Sequence, residues 1–558
     1  SGTINIGGAQ TILNEVLLNS IGALTVGAIT STNKNISLTS TGSTMTVGAL
    51  TALNSPNGGI TLNHANDLSF NGSIQGLTLT ESGTGRIFVN NAITIQVTGT
   101  GSDVILNNQL LLKNNLTINS EDNVTFANSV DTDASSVTSK NLTITINSAS
   151  AATSKAVTFN GNVGTTSGVV LGAITITGAK KIEAGSFNVS AASLDATAAG
   201  PISIKGTQIY NGAAGLKLTS NGASGDIDVG QITTSNAGGV VFSNKQGLNL
   251  LGNISSNGIV SQTTISGGTA ITRIGDPNSS STLSILTTNA LTSLPITIVS
   301  NIIIQRNVTI KTAGSGNITL GTAGTPNSTI TTSSAGDGQL ALDIQTTAGG
   351  TININSDLGV NSLELGSVNI ATTGPINIAS RNIITANTNG QVYTGNVTIA
   401  NTLNLSSSSA GIQFNGAING TNSESQDLGV TNSTGTFNVT GNVGNIFRLG
   451  DITLNNLQSV TLGTTTANTL NAKSLTSTGV VGNILINSIQ NYTTGINLVA
   501  NVNVTTGGMT VTNGDVTLNA GGNLFANAIT TSGGTGNINL LHASKLTLAN
   551  DVTSVGTF

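Results

Sequence analysis

Gly350-Thr351-Ile352-Asn353-Ile354 is followed twenty-four residues later by Gly374-Pro375-Ile376-Asn377-Ile378. In both copies a glycine opens a turn and isoleucine then alternates with a polar residue. Period-2 alternation sends the isoleucines to one face of a β-strand and the asparagine to the other. The same unit recurs as Gly200-Pro201-Ile202-Ser203-Ile204 and Gly225-Asp226-Ile227-Asp228-Val229, and as Gly514-Asp515-Val516-Thr517-Leu518 and Gly536-Asn537-Ile538-Asn539-Leu540. Neighbouring copies lie 22 to 25 residues apart, a spacing that predicts stacked coils of two or three short strands each. The longer interval from Gly316 to Gly350 predicts an inserted loop or a second coil.

Working outward, the 558 residues carry only 17 Lys+Arg and 22 Asp+Glu, so solubility must come from Asn, Thr and Ser. The 70 glycines supply turns, and the abundant β-branched apolar residues argue against disorder. A net charge of −5 without a basic stripe lacks the electrostatic footprint of a nucleic-acid partner. No cysteine is present, which excludes disulfides and thiolate metal sites. The densest apolar patches, Leu110 to Leu112 and Ile302 to Ile304, are strand-sized, so no membrane-spanning helix is expected. Ser1 reads as a mature or trimmed end.

Six of the 11 phenylalanines precede a small turn and an aliphatic residue: Phe70, Phe88, Phe126, Phe159, Phe414 and Phe525. Asn and Gly tolerate left-handed backbone, so the strand turns after Phe and the next aliphatic re-enters the core. These rings are expected to mark one place in the coil and to stack on core residues. The alternative is an aromatic ligand platform.

The runs Val157-Thr158-Phe159-Asn160-Gly161-Asn162-Val163, Tyr393-Thr394-Gly395-Asn396-Val397-Thr398-Ile399 and Ile412-Gln413-Phe414-Asn415-Gly416-Ala417-Ile418 resemble the degenerate β-strand repeats of filamentous-haemagglutinin-like adhesins and autotransporter passengers. The Asn and Ile richness is also similar to the surface-layer autotransporters of rickettsiae. The resemblance covers essentially the whole chain as a style of repeat. It implies a bacterial right-handed β-helix, exported by type V secretion, that works in adhesion or surface coating.

A string of β-sandwiches is the main structural rival, but such domains carry aromatic anchors, and this chain has no Trp and only Tyr210, Tyr393 and Tyr492. Domain linkers are also missing. The expected fold is therefore an all-β, right-handed parallel β-helix (β-solenoid) of degenerate 20–25-residue coils, continuous over 1–558. At roughly 22 residues per coil the chain makes about 25 coils and a rod of about 120 Å. Inserted loops are expected near 130–155, 267–296 and 419–436, where alternation lapses, and these are candidate lateral or receptor contacts. Asn ladders along the axis are possible. Both ends look cut in mid-repeat, which suggests a segment of a longer chain or end-to-end stacking.

Parallel β-helices also include polysaccharide lyases and hydrolases, which cluster carboxylates on one outer face. The nearest candidates are Asp226/Asp228, Asp131/Asp133 and Glu121/Asp122. Asp226 and Asp228 project together with Ile227 and Val229 inward, so a weak cation site competes with a solvated strand face, the preferred reading. Asp131 and Asp133 read as an exposed loop. His64 and His542, nearly the full chain apart, cannot share a metal or proton relay and read as turn or surface residues. No catalytic, cofactor-binding or metal residue is assigned. The expected function is a non-enzymatic structural or adhesive module of a bacterial surface or extracellular fibre, with self-association and a possible host-cell or glycan receptor. The alternatives are a carbohydrate-active β-helix and a surface-layer subunit.

Overall fold

The computed structural model describes residues 2–53, 58–99, 101–147, 155–165, 169–223, 225–322, 328–334, 339–386, 389–432 and 434–557. It is an all-β parallel β-solenoid of about 23 turns of ~23 residues each, with no helix among the described residues. Among the described residues no helix is long and apolar enough to cross a membrane. The chain divides into two compact units, Ser1–Thr272 and Arg273–Phe558.

The repeat unit read from the sequence is the unit of stacking. Ile352 and Ile354 pair in register with Ile376 and Ile378, Ile202 and Ile204 with Ile227 and Val229, and Val516 with Ile538. Ile318 and Leu320 pair directly with Ile352 and Ile354, so the longer interval from Gly316 is one coil carrying an insertion. The named strands pair in parallel, which excludes the antiparallel sandwich.

In the first unit each early coil contributes three short strands to three sheets. One sheet stacks Ile4–Ile6, Leu24–Val26, Met45–Val47, Leu68–Phe70, Ile87–Val89, Leu110–Leu112 and Val130–Thr132. A second begins Gln10–Ile12, Ile29–Ser31 and Leu50–Ala52, and a third Val16–Ser20, Ile36–Ser40 and Gly59–His64. The second unit uses the same stacking, and both units also carry longer strands, such as Gln208–Ser220 in the first and Ile489–Ala500 in the second. Alternation drives the assembly. Ile36 and Leu38 are fully buried while Ser37 and Thr39 face out, and each buried aliphatic side chain contributes about 1.5–3 kcal/mol.

Four of the six marker phenylalanines behave as expected. Phe70, Phe126, Phe159 and Phe414 are buried; Phe126 stacks on Phe159 at 5.0 Å and Tyr393 on Phe414 at 4.4 Å. Phe88 and Phe525 do not. Each occupies the middle of a three-residue strand, Ile87–Val89 and Leu524–Ala526, so parity points the ring outward. Arg86 and Lys113 lie 5.0 and 4.6 Å from the Phe88 ring centre.

Strands run through each stretch expected as an inserted loop: Leu142–Ile146 in the first, Leu283–Thr287 in the second and Leu428–Asn432 in the third. Residues 148–154 of the first lie outside the described residues. Asparagine ladders do form, among them one at the rim of the coils. Asn483 Oδ1 accepts the backbone N–H of Asn503 at 3.2 Å and its side-chain amide at 3.0 Å, and Asn503 Oδ1 accepts the N–H of Asn523 at 2.8 Å. Each of these residues immediately precedes a strand, so the side chain supplies a coil-to-coil bond just before the backbone ladder begins.

Candidate functional site

The most chemically loaded position among the described residues lies inside the first unit. In successive coils Ser20, Ser40 and His64 share one inward register position, and Leu62, Glu81 and Leu106 share another. His64 therefore replaces a small hydroxyl, and Glu81 replaces a core leucine. His64 Nε2 lies 2.6 Å from Glu81 Oε1, with neither side chain exposed. The other ring nitrogen, Nδ1, faces the carbonyl of Asn66 and can only donate there. Glu81 Oε2 accepts the backbone N–H of Asn107 at 2.8 Å and of Asn108 at 3.2 Å, and Oε1 accepts the Asn108 amide at 2.7 Å.

Burial raises the Glu81 pKa, but the hydrogen bonds from His64, Asn108 and Asn107 and the His64 charge outweigh it and hold the carboxyl below its ordinary value. Glu81 is thus held toward its carboxylate form, and the His64 ring is clamped between that carboxyl group and the Asn66 carbonyl. Every ring nitrogen and carboxylate oxygen is occupied by the protein and shielded from solvent. The arrangement fixes two coils relative to one another; it offers no free group to a substrate.

This corrects the expectation that His64 is a turn or surface residue. Ile60, Leu62 and His64 alternate inward along the strand Gly59–His64, and that parity was readable. His542, at the end of Ile538–His542, is exposed.

The acidic pairs separate in the same way. Asp226 and Asp228 flank the buried Ile227 and point outward as alternation predicts. Asp226 Oδ1 accepts the Gly247 N–H at 2.8 Å, Asp228 Oδ1 accepts the Asn249 amide at 2.6 Å, and Lys205 Nζ lies 3.3 Å from Asp228 Oδ2. Asp131 and Asp133 are not in an exposed loop. Leu110–Leu112 pairs with Val130–Thr132, which carries Asp131 into the sheet, where it is fully buried and accepts the Gln109 amide at 3.3 Å. Asp133 is also buried and accepts the Ser135 N–H at 3.0 Å. Glu121 accepts the Gly99 N–H at 2.9 Å, and buried Asp122 accepts the Lys155 N–H at 3.1 Å. Among the described residues no three His, Cys, Asp or Glu side chains are grouped to hold a metal ion.

Two features went unread in the sequence. Each tyrosine belongs to a Gln-x-Tyr triplet, Gln208-Ile209-Tyr210, Gln391-Val392-Tyr393 and Gln490-Asn491-Tyr492. Both polar side chains point inward, and the phenol donates to the Gln Oε1 at 2.9, 3.0 and 2.9 Å. The second feature is ion pairing one coil apart, as in Asp195–Lys217 and Asp451–Lys473, both at 3.1 Å. The first is visible as a recurring triplet. The second requires the register.

Compared with known proteins, the chain matches no family model, no curated protein and no solved structure.

Proposed function

We propose that the chain is a structural or adhesive module of a bacterial surface or extracellular fibre, of the kind built from filamentous-haemagglutinin-like and autotransporter repeats, and that it is not an enzyme. The observation that carries this reading is where the acidic side chains are spent. Asp226, Asp228, Glu121 and Asp122 each bind a residue of another coil, so the groups an outer-face hydrolase would use serve as stacking contacts. Continuous parallel pairing with so few charges suits a stiff repetitive scaffold whose outer faces present hydroxyls and amides. Self-association, end to end or lateral, belongs to the same proposal.

Electron microscopy of the purified chain, together with labelling of intact producing cells, tests it. Rods, sheets or fibres accessible from outside the cell are expected. Compact particles confined to the cell interior would overturn it.

A further inference from the structure

In the second unit the strands Leu403–Ser407, Leu428–Asn432, Leu449–Asn455, Thr469–Thr478, Ile489–Ala500 and Asp515–Ala520 stack as six consecutive members of one sheet. Their outward residues form a row, Asn404, Gly429, Thr453, Thr476, Asn497 and Thr517, paired coil to coil. At the strand spacing this row is about 24 Å long. Two solvent-open concavities of about 620 and 440 Å³ lie along it, and their linings are neighbours through the register pairs Asp451–Ser474 and Thr453–Thr476.

The concavity has a local cause. Gly429 and Gly495 put no side chain into the outward rows, and the register between Thr469–Thr478 and Ile489–Ala500 shifts between Ala472 and Ser474, which bends the sheet.

The lining chemistry narrows the occupant. The side chains of Thr453, Thr476, Asn497 and Thr517 make no hydrogen bond within the described chain, so a line of hydroxyl and amide groups is free for a ligand. The carboxylates beside them are already engaged: Asp427 accepts the Asp451 N–H at 2.8 Å, Asp451 holds Ser474 at 2.7 Å and Lys473 at 3.1 Å, and Asp515 accepts the Asn537 N–H at 2.8 Å. Three carboxylates against one lysine repel a polyanion. Among the described residues no aromatic ring lines the trough, so an apolar or stacking ligand has no platform there.

We propose that this trough is a binding site for a neutral, hydroxyl-rich linear glycan lying along the coil axis, held by donors and acceptors repeated at the coil spacing. The site stands on its own geometry and holds whether or not the chain is displayed on a cell.

The test is affinity electrophoresis and calorimetry of the full chain with mixed-linkage β-glucan, dextran and mannan as neutral probes and polygalacturonate as the anionic one. Thr453→Val/Thr476→Val/Thr517→Val removes three hydroxyls while keeping β-branched residues, and Asn497→Ala, at an exposed position, provides a milder second variant. Binding of at least one neutral polysaccharide is expected, weakened at least about tenfold in the triple variant and measurably by Asn497→Ala. The control Thr461→Val/Thr505→Val, on a different sheet of the same unit, should bind as the parent does. No binding of any neutral probe, parental affinity in both trough variants, an equal loss in the control, or tighter binding of polygalacturonate overturns the proposal.

Discussion

His64 Nε2 lies 2.6 Å from Glu81 Oε1 with both side chains fully buried, and the pair occupies positions held by Ser40 and by Leu62 one coil away. A buried pair of this kind is costly to break from one side, because the remaining group is left without compensation.

Glu81→Leu alone should therefore destabilise the first unit by about 3–5 kcal/mol. His64→Ser/Glu81→Leu, which restores the residues of adjacent coils at both positions, should lose much less than the sum of the single changes. Denaturant unfolding of the four chains closes the cycle; additive losses would mean that the pair is not coupled.

Glu81 also sets an acid limit. Its folded-state pKa is depressed below the ordinary 4.5, so its contribution is present above pH 4.5 and is lost as pH falls through the depressed value. Melting temperature followed downward from pH 5 should fall more steeply in the parent than in Glu81→Gln, which has no carboxyl to protonate.

Tyr210, Tyr393 and Tyr492 set an alkaline limit. Burial pushes all three phenols above their ordinary value of 10.0. Their contribution is fully present below pH 10 and declines above it, since only the unfolded chain ionises there. The phenolate absorbance should therefore rise together with loss of β-structure, not before it. Tyr393→Phe leaves the Gln391 Oε1 without its phenol donor and should cost about 1–3 kcal/mol in denaturant unfolding.

An apolar cavity of about 20 Å³ in the first unit is lined by Phe159, Val163, Ile174, Ile182, Ala184 and Val189, among others. Ala184→Val should fill part of it and raise the melting temperature, whereas Phe159→Ala enlarges it, removes the stack on Phe126 and should cost about 3–5 kcal/mol. Scanning calorimetry distinguishes the two directions.

Asn503 links Asn483 to Asn523 across three coils. Asn503→Ala should cost about 1 kcal/mol, and Asn503→Asp, which keeps the acceptor for the Asn523 N–H but sets a carboxylate oxygen against Asn483 Oδ1, should cost a similar amount. Hydrogen exchange at the Asn523 amide should quicken in the first variant and not in the second.

The sequence alone determined the strands, their inward faces and the coil length, because period-2 alternation and turn glycines are local, and local rules put Ile352 and Ile354 on the same face as Ile376 and Ile378. The same alternation already held the inward parity of His64 and the outward parity of Phe88, although residue type argued the other way. Asp131 was beyond a local reading, because its burial depends on Leu110–Leu112 extending the sheet beneath a Ser-rich stretch. Only the tertiary structure decided what meets across coils, since a pairing such as His64 with Glu81 or Asp451 with Lys473 depends on the length of every turn between them. The trough is the furthest from the sequence: Asn404, Thr453 and Thr517 share one line only because the intervening coils bring equivalent positions into register, and no local signal encodes that sum.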